Sequence, residues 1–341
     1  MPHTGKKKIL VTGGAGFIGA HVVRAILNLP QLSDSTITVL DDLSGGFREN
    51  VPADPRVELV VGSCCDVELV DRLFEEKSFK YVYHLAAYAA EGLSHFIRRF
   101  NYSNNLLGSV NLINDAVKSE TTCFVFTSSI AVYGAAQVPM LESTAPRPED
   151  PYGVAKYAVE LDLQAAHEMF GLDYIIFRPH NVYGEFQNIG DRYRNVIGIF
   201  MNQILQGLPM TIFGDGEQQR NFTYISEVAP VIARAPFVDR ARNQIFNIGA
   251  NVPYTVNELA KHVAAAMGVE PQISCLPARN EVTVAYSDHS KCSEVFGEPP
   301  PIELSEGLKR MAAWVKQVGA RRSTTFENIE ILLGLPPSWL T

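Results

Sequence analysis

Tyr152 and Lys156 stand four apart in the run PYGVAKYAVE, at the head of a stretch that predicts a helix over 153–170. A spacing of four places both side chains on one helix face. Ser128 and Ser129, in TSSIAVYG, follow the apolar run Cys123–Phe126. That run predicts a strand, which delivers both serines to its carboxyl end. Together these residues fit the oxidation of an alcohol. Hydride cannot leave an alcohol carbon unless a base takes the hydroxyl proton. Tyr152 is the candidate base, and with an ordinary pKa of about 10 it needs help at neutral pH. The Lys156 ammonium favours the phenolate. Ser129 is placed to hydrogen-bond the same substrate hydroxyl and hold it in line, with Ser128 beside it. A Tyr-x-x-x-Lys pair alone also fits a half-buried tyrosine and a solvated lysine. The surrounding elements decide between the two.

The first such element is Lys7–Gly19, KKILVTGGAGFIG. Ile9, Leu10 and Val11 read as a buried strand that stops at Thr12. Gly13, Gly16 and Gly19 follow. A helical pattern then carries Phe17, Ile18, Val22, Val23, Ile26 and Leu27 on its apolar face, with Pro30 just past its end. A turn without Cβ atoms at Gly13 and Gly16 lets backbone N–H groups close on a pyrophosphate, and the positive helix end adds attraction. A second strand, Thr36–Leu40, ends in Asp41 and Asp42. Asp41 lies where an acid meets the ribose hydroxyls of a dinucleotide and repels a 2′-phosphate. The pattern predicts NAD rather than NADP. The positive nicotinamide ring would join Lys156 in favouring the Tyr152 phenolate.

Strands and helices keep alternating. Strands are predicted at Val57–Val61, Tyr81–Leu85, Cys123–Phe126 and Tyr174–Phe177, and helices from Asp66 to Phe74, over Arg98–Val117 and over Gly153–Phe170. Such alternation predicts an α/β fold, a Rossmann-type doubly wound parallel sheet with ligands at the carboxyl ends of its strands. After Gly184 the segments shorten and mix. They predict a smaller mixed α/β substrate lobe over 185–318, a return element near 222–248 and a cofactor domain over 1–184. The extension 319–341 carries Phe326, Ile329, Ile331, Leu332, Leu333, Leu335 and Trp339, which would be costly to leave in water, so docking onto the body or a partner is expected.

Of the 341 residues 46% are hydrophobic, enough for a large core, and the net charge of −8 gives no general pull toward nucleic acid or anionic membrane. No apolar stretch reaches membrane-spanning length, and Met1–Lys8 lacks the apolar core of a signal peptide. Cys64, Cys65, Cys123, Cys275 and Cys292 form no C-x-x-C pair and meet no histidine at zinc spacing, so no metal is proposed. Their odd count and irregular spacing fit a reducing cytosol.

TGGAGFIG, DDLSGG, HLAA, TSSIAVYG, PYGVAK, RPHNVYG, IFGDGEQQRNFTYISEV, NIGANVPYTVNELA and SDHSK together resemble the extended short-chain dehydrogenase/reductase family, in its nucleotide-sugar epimerase/dehydratase group, over about Lys7 to Val318. The resemblance implies a catalytic set of Ser129, Tyr152 and Lys156. It places Gly13, Gly16, Phe17, Ile18, Gly19 and Ser44 around the cofactor, Asp41 and Asp42 at its ribose, and Asp66 and Val67 at its adenine. Leu85, Ala86, Ala87, Tyr88 and Asn105 would border its path toward Tyr152 and Lys156. Ser128, Ser129 and Asn181 would meet the substrate, Val196 and Phe200 its nucleobase, and Arg220 and Arg279 its pyrophosphate. Relatives pair the two long helices into an intermolecular four-helix bundle, which implies a homodimer. The residues themselves agree on Arg220, whose Gly-Asp-Gly loop suits bidentate phosphate contact, although a surface pair with Asp215 also fits.

Departures from the family pattern narrow the chemistry. Dehydratases of this group carry Asp-Glu where this chain has Ile130-Ala131, and decarboxylating relatives carry Glu at the Ala131 position. Loss of both leaves oxidation and reduction at one carbon. Ala89 replaces a lysine frequent in UDP-glucose 4-epimerases. Glu91 fits either a sugar contact or a turn cap, and His180 either a ligand contact or core packing. Uronate 4-epimerases place an arginine where this chain has Asn188, although Arg192 and Arg194 lie nearby. Ala285 stands where 4-epimerases vary in bulk beside the 2-substituent of the sugar. The expected activity is NAD-dependent 4-epimerisation of UDP-glucose/UDP-galactose through a 4-keto sugar. The N-acetylated and uronate pairs are alternatives. So are a dehydrogenase or reductase of the same fold and a non-enzymatic dinucleotide sensor.

Overall fold

The computed structural model describes residues 6–278, 282–322 and 326–339. Its centre is a parallel sheet of seven strands, β1 (Lys8–Thr12), β2 (Thr36–Asp41), β3 (Val57–Val61), β4 (Tyr81–His84), β5 (Cys123–Thr127), β6 (Tyr174–Pro179) and β7 (Gln244–Ile248). They lie in the order β7-β6-β5-β4-β1-β2-β3. The order reverses between β1 and β4, which is where a parallel sheet opens a crevice at its carboxyl edge. Register brings that edge into line: Thr12 stands opposite both Leu40 and His84, and Thr127 opposite Phe177.

These segments are strands because both of their faces are covered. Ile9 and Val11 join a core with Val22, Val23 and Ile26 on one side, while Leu10 joins Val70, Leu73, Leu112 and Leu163 on the other. Alternate residues of one strand thus feed two cores. Each such side chain contributes roughly 1.5–3 kcal/mol by leaving water.

Around the far edge of the sheet, helices Val196–Leu205, Val256–Met267 and Leu304–Val318 pack with short strands. Met210–Phe213 pairs with Ile273–Leu276, and Gln219–Asn221 pairs with both Pro253–Thr255 and Val284–Ala285. The Val256–Met267 helix has the limits its sequence predicts. Thr255 and Glu258 form a capping box at its start, and Gly268 ends it at φ +76°.

The helix expected over 98–117 is not continuous. It runs as Arg98–Tyr102, one π turn over Ser103–Leu107, then Gly108–Lys118. The extra residue in that turn lets Asn105 point at the backbone of Tyr88, bonding its N–H at 2.8 Å and its carbonyl at 3.1 Å.

Helix Pro151–Phe170 starts two residues earlier than predicted. Asp150 caps it by accepting from the Gly153 N–H at 2.9 Å, and Pro151 occupies the first turn. Its inner face carries Tyr152, Lys156 and Glu160. Glu160 is fully buried and accepts from Arg178 Nε at 2.9 Å. Arg178 also donates to the Tyr133 hydroxyl at 2.7 Å, which donates to Asn247 at 2.8 Å. This chain of bonds fixes the helix to β6 and β7. Glu160→Ala should cost about 3–5 kcal/mol in urea unfolding, because it leaves the buried guanidinium without a carboxylate. A loss below about 1 kcal/mol would show that the pair does not hold the helix.

Candidate functional site

A cavity of about 1100 Å³ runs along the carboxyl edge of the sheet and continues under the smaller elements. At one end lies the glycine turn. Gly13 has φ +71°, and a Cβ there would lie 2.7 Å from the Ala86 nitrogen; one on Gly19 would lie 2.1 Å from the Gly13 oxygen. No side chain fits at either position. The helix Phe17–Leu27 begins at Gly16 with no side-chain cap and no acid in its first turn. Its N–H groups and dipole are therefore available to an anion. Beside them Asp41 accepts from the N–H groups of Ala15 and Leu43, each at 2.9 Å, while burial raises its pKa against those bonds. Asp42 accepts from the Ser44 N–H at 2.9 Å. An uncapped helix start, a turn without side chains and a carboxylate at the end of β2 fit a dinucleotide such as NAD.

Phe17, Ile18, Leu85, Ala86, Ala87 and Tyr88 also line this end. Three residues expected at the cofactor do not. Asp66 faces solvent and caps the next helix through the Leu69 N–H at 3.0 Å, and Val67 is exposed on that helix. Gly62, Ser63 and Cys64 line the wall instead. Asn105 lies one layer behind the wall, spent on the Tyr88 backbone and on Asn101 at 2.8 Å.

Mid-cavity, β5 and the helix Pro151–Phe170 bring Ser128, Ser129, Tyr152 and Lys156 onto one wall. All four are buried. Lys156 Nζ donates to the Thr127 carbonyl at 2.8 Å and sits 5.9 Å from the centre of the Tyr152 ring. Burial pulls the Lys156 ammonium down to about 7, against the charge of Glu160. Burial pushes the Tyr152 phenol well above its ordinary value, the Glu91 carboxylate adds to that, and a hydrogen bond from Ser129 opposes it. The expected lowering of Tyr152 is thus not a property of the protein alone, because desolvation and the Glu91 carboxylate outweigh the Ser129 hydrogen bond and the Arg194 charge. The Ser128 hydroxyl is buried with no hydrogen-bond partner among the described residues, as befits a group awaiting a ligand. Next to it, Ile130 and Ala131 line the cavity with apolar surface.

The far end holds Asn181, Val196, Phe200, Arg220 and Ala285. Asn181 sits at φ +38°. Phe200 is fully buried, so it forms the floor rather than a free stacking face. Arg220 donates to the carbonyls of Gln219 and Thr283 at 2.8 and 3.1 Å and to that of Val282. Arg279 lies outside the described residues. The loop 188–194 brings Arg192, Tyr193 and Arg194 to the wall. Arg194 pairs with Asp191 at 2.6 Å and lies 4.6 Å from the Tyr88 ring centre. Tyr193 had no sequence signal, since a lone aromatic in a polar loop reads as surface. Ser338 and Trp339 also reach the cavity from the chain end. Among the described residues no three His, Cys, Asp or Glu side chains are grouped to hold a metal ion. No helix among them is long and apolar enough to cross a membrane.

Residues 9–249 match the NAD dependent epimerase/dehydratase family. The chain belongs to that family. It is 31% identical over 309 residues to a UDP-glucose 4-epimerase of Mycolicibacterium smegmatis, covering 89% of this chain and 96% of that protein. It is 30% identical over 320 residues to a dTDP-glucose 4,6-dehydratase of an Actinoplanes species, covering 91% and 98%. A solved UDP-glucose 4-epimerase with UDP-glucose from Thermotoga maritima superposes with a TM-score of 0.84 at 33% identity, covering 91% of this chain and 99% of that one.

On the cavity wall of this family member His180 belongs to a buried polar cluster, and its Nδ1 has no hydrogen-bond partner among the described residues. His180 Nε2 lies 2.9 Å from His289 Nε2, and His289 Nδ1 lies 2.7 Å from Asn251 Oδ1. Burial, with each other's proximity for His180, lowers the pair to about 3 for His180 and burial alone to about 4 for His289. Both imidazoles are therefore neutral when folded and take up protons on unfolding below about pH 6.5. Their contribution is complete above that pH and is lost as pH falls toward 4. Relative to wild type, His289→Gln should flatten the fall in stability between pH 6.5 and 4 by about 3 kcal/mol in urea titrations. Parallel pH profiles for the two proteins would contradict this assignment.

Proposed function

We propose that the protein is an NAD-dependent 4-epimerase of UDP-hexoses, with Ser129, Tyr152 and Lys156 as its catalytic set. The observation that carries this reading is the wall around Tyr152. Tyr152, Ser128 and Ser129 stand together on it, and at the two positions after the serines, where dehydratases of this group carry Asp-Glu, Ile130 and Ala131 provide neither acid nor base, although Glu91 and Asp150 line the same cavity. Without that Asp-Glu pair the wall supports chemistry at one carbon.

NAD, when bound, supplies the hydride acceptor, the hydride donor for the return step and a positive ring. Tyr152 accepts the proton of the sugar 4-hydroxyl as it becomes a carbonyl, and returns it when the alcohol is re-formed. Ser129 holds that oxygen in line. Lys156, anchored on Thr127, keeps a positive group behind the phenol when protonated. The 4-keto sugar turns over within the cavity while Arg220, Asn181 and Val196 retain the nucleotide. Residues 1–184 with the return element near 222–248 form the cofactor half and the rest of 185–318 the sugar-nucleotide half, with Asp41 selecting NAD by repelling a 2′-phosphate.

Neutral hexoses fit better than uronates. Asn188 stands at the arginine position and spends its side-chain oxygen on the Gly190 N–H at 3.1 Å, and Arg194 is already neutralised by Asp191. A buried sugar carboxylate would lack a cation at the Asn188 position, and Arg192 on the cavity wall keeps the uronate alternative open. Ala285 is small, which leaves room for an N-acetyl group. The exposed Val154 and Leu161 of helix Pro151–Phe170, seven residues apart and so on one helix face, offer apolar surface to a second copy in a homodimer.

Tyr152→Phe should lose about two to four orders of magnitude in kcat and still bind NAD, since only the proton acceptor is removed. Near-normal turnover would exclude Tyr152 as the base. Comparing kcat/KM for UDP-glucose, UDP-N-acetylglucosamine and UDP-glucuronate, with products identified by NMR, should rank the uronate last. A preference for the uronate would overturn the assignment of substrate class.

A further inference from the structure

The chain does not end with its closing helix. Residues 326–339 run back across both walls of the cavity. Phe326 packs on Phe100 and Tyr88, with ring centres 4.9 and 5.5 Å away, and its N–H donates to the Tyr193 hydroxyl at 3.1 Å. Glu330 accepts from the N–H groups of Arg99 and Phe100 at 2.9 and 3.0 Å, which caps the helix Arg98–Tyr102. Its own N–H donates to Phe96 O at 2.8 Å. Trp339 is buried edge-on against Tyr193 at 5.3 Å and Phe96 at 6.1 Å. A Cβ on Gly92 would come within 3.2 Å of its indole.

We propose that this segment is a wall of the sugar pocket and that Trp339 is a specificity-determining residue for the sugar, on the side of carbon 6. The assignment of carbon 6 rests on the UDP-hexose reading above. Trp339 and Ser338 line the same cavity as Ser129 and Tyr152. Trp339 belongs to a cluster with Ala90, Leu93, Ile97 and Leu335, whereas Ala285 belongs to another with Ile130, Val132, Tyr133 and Met140. The two residues therefore pack in separate side-chain clusters along one cavity. In a hexose whose 4-hydroxyl is held by Tyr152, carbon 2 lies on one side of carbon 4 around the ring and carbon 6 on the other. With Ala285 beside the 2-substituent, as the family resemblance implies, the surface built by Trp339 falls to the hydroxymethyl group. A rigid aromatic edge there rewards a hexose over a pentose, which lacks carbon 6. It also sets a limit on what that carbon can carry. Glu330 and Phe326 act as positioning residues, holding Trp339 by bracing the segment on both walls.

The test compares UDP-glucose with UDP-xylose, the same sugar without carbon 6, and with UDP-N-acetylglucosamine. Trp339→Ala should reduce the preference for UDP-glucose over UDP-xylose in kcat/KM about tenfold, the scale of one lost apolar contact in a pocket. The ratio of UDP-glucose to UDP-N-acetylglucosamine should stay as in wild type. Glu330→Gln should shift the first ratio in the same direction and by less. A variant that lowers all three substrates equally, with both ratios unchanged, would overturn the specificity role and leave a structural one. A second readout does not depend on turnover. The chain has two tryptophans, Trp314 and Trp339. In a Trp314→Phe background the emission of Trp339 should respond to UDP-glucose more than to UDP alone. Equal responses to the two would overturn the wall assignment. If wild type converts none of the three sugars, the epimerase reading falls, and the fluorescence result still decides the place of Trp339.

Discussion

The structure depends on backbone meeting backbone at the carboxyl edge of the sheet. The turn after β1 lies so close to the turn after β4 that a Cβ on Gly13 would overlap Ala86, and the helix that follows lies so close that a Cβ on Gly19 would overlap Gly13 itself. This approach brings an uncapped helix start, the Asp41 carboxylate and the Ala86–Tyr88 strand end to one cavity. β5 is the next neighbour of β4, so the same edge carries Ser128 and Ser129 toward the same cavity. The polar chemistry sits at this edge because parallel strands align all their carboxyl ends.

Burial then sets the character of the reacting groups. Lys156 is buried on a single backbone carbonyl, with Glu160 one turn along the same helix face. Desolvation lowers the pKa of Lys156 and raises that of Tyr152, so it works against the charged form of each. A positive ligand beside the phenol would favour the phenolate. The cluster of Glu160, Arg178, Tyr133 and Asn247 holds the helix against β6 and β7, so the phenol meets the serines at a fixed place.

Much of this was legible in the residues. Six of the seven central strands follow from apolar runs bounded by turns, and the helix Val256–Met267 is set at its start by the Thr255–Glu258 capping box. The glycine turn and the Tyr152–Lys156 pair point to one cavity because their spacing is local. The rest depends on tertiary contact. Asp66 is expected at the adenine, and in the fold it caps the helix that follows and does not line the cavity. Asn105 lies in a stretch with helical period, yet a π turn gives it to the Tyr88 backbone. Burial at Tyr152 and Lys156 is a property of the packed site, so side-chain types alone do not give the desolvation that raises the Tyr152 pKa in the protein without its cofactor. The tail was recognised as too apolar to stay in water, but which wall it covers depends on Phe96, Phe100 and Tyr193, residues remote from it in sequence.

The central claim is reversible oxidation at one carbon, with the hydrogen returned to the carbon it left. The direct measurement uses UDP-glucose deuterated at carbon 4, incubated with the full-length protein in ordinary water and followed by NMR. The account predicts UDP-galactose with deuterium still at carbon 4. Deuterium lost from carbon 4, or found at another carbon of the product, would contradict it.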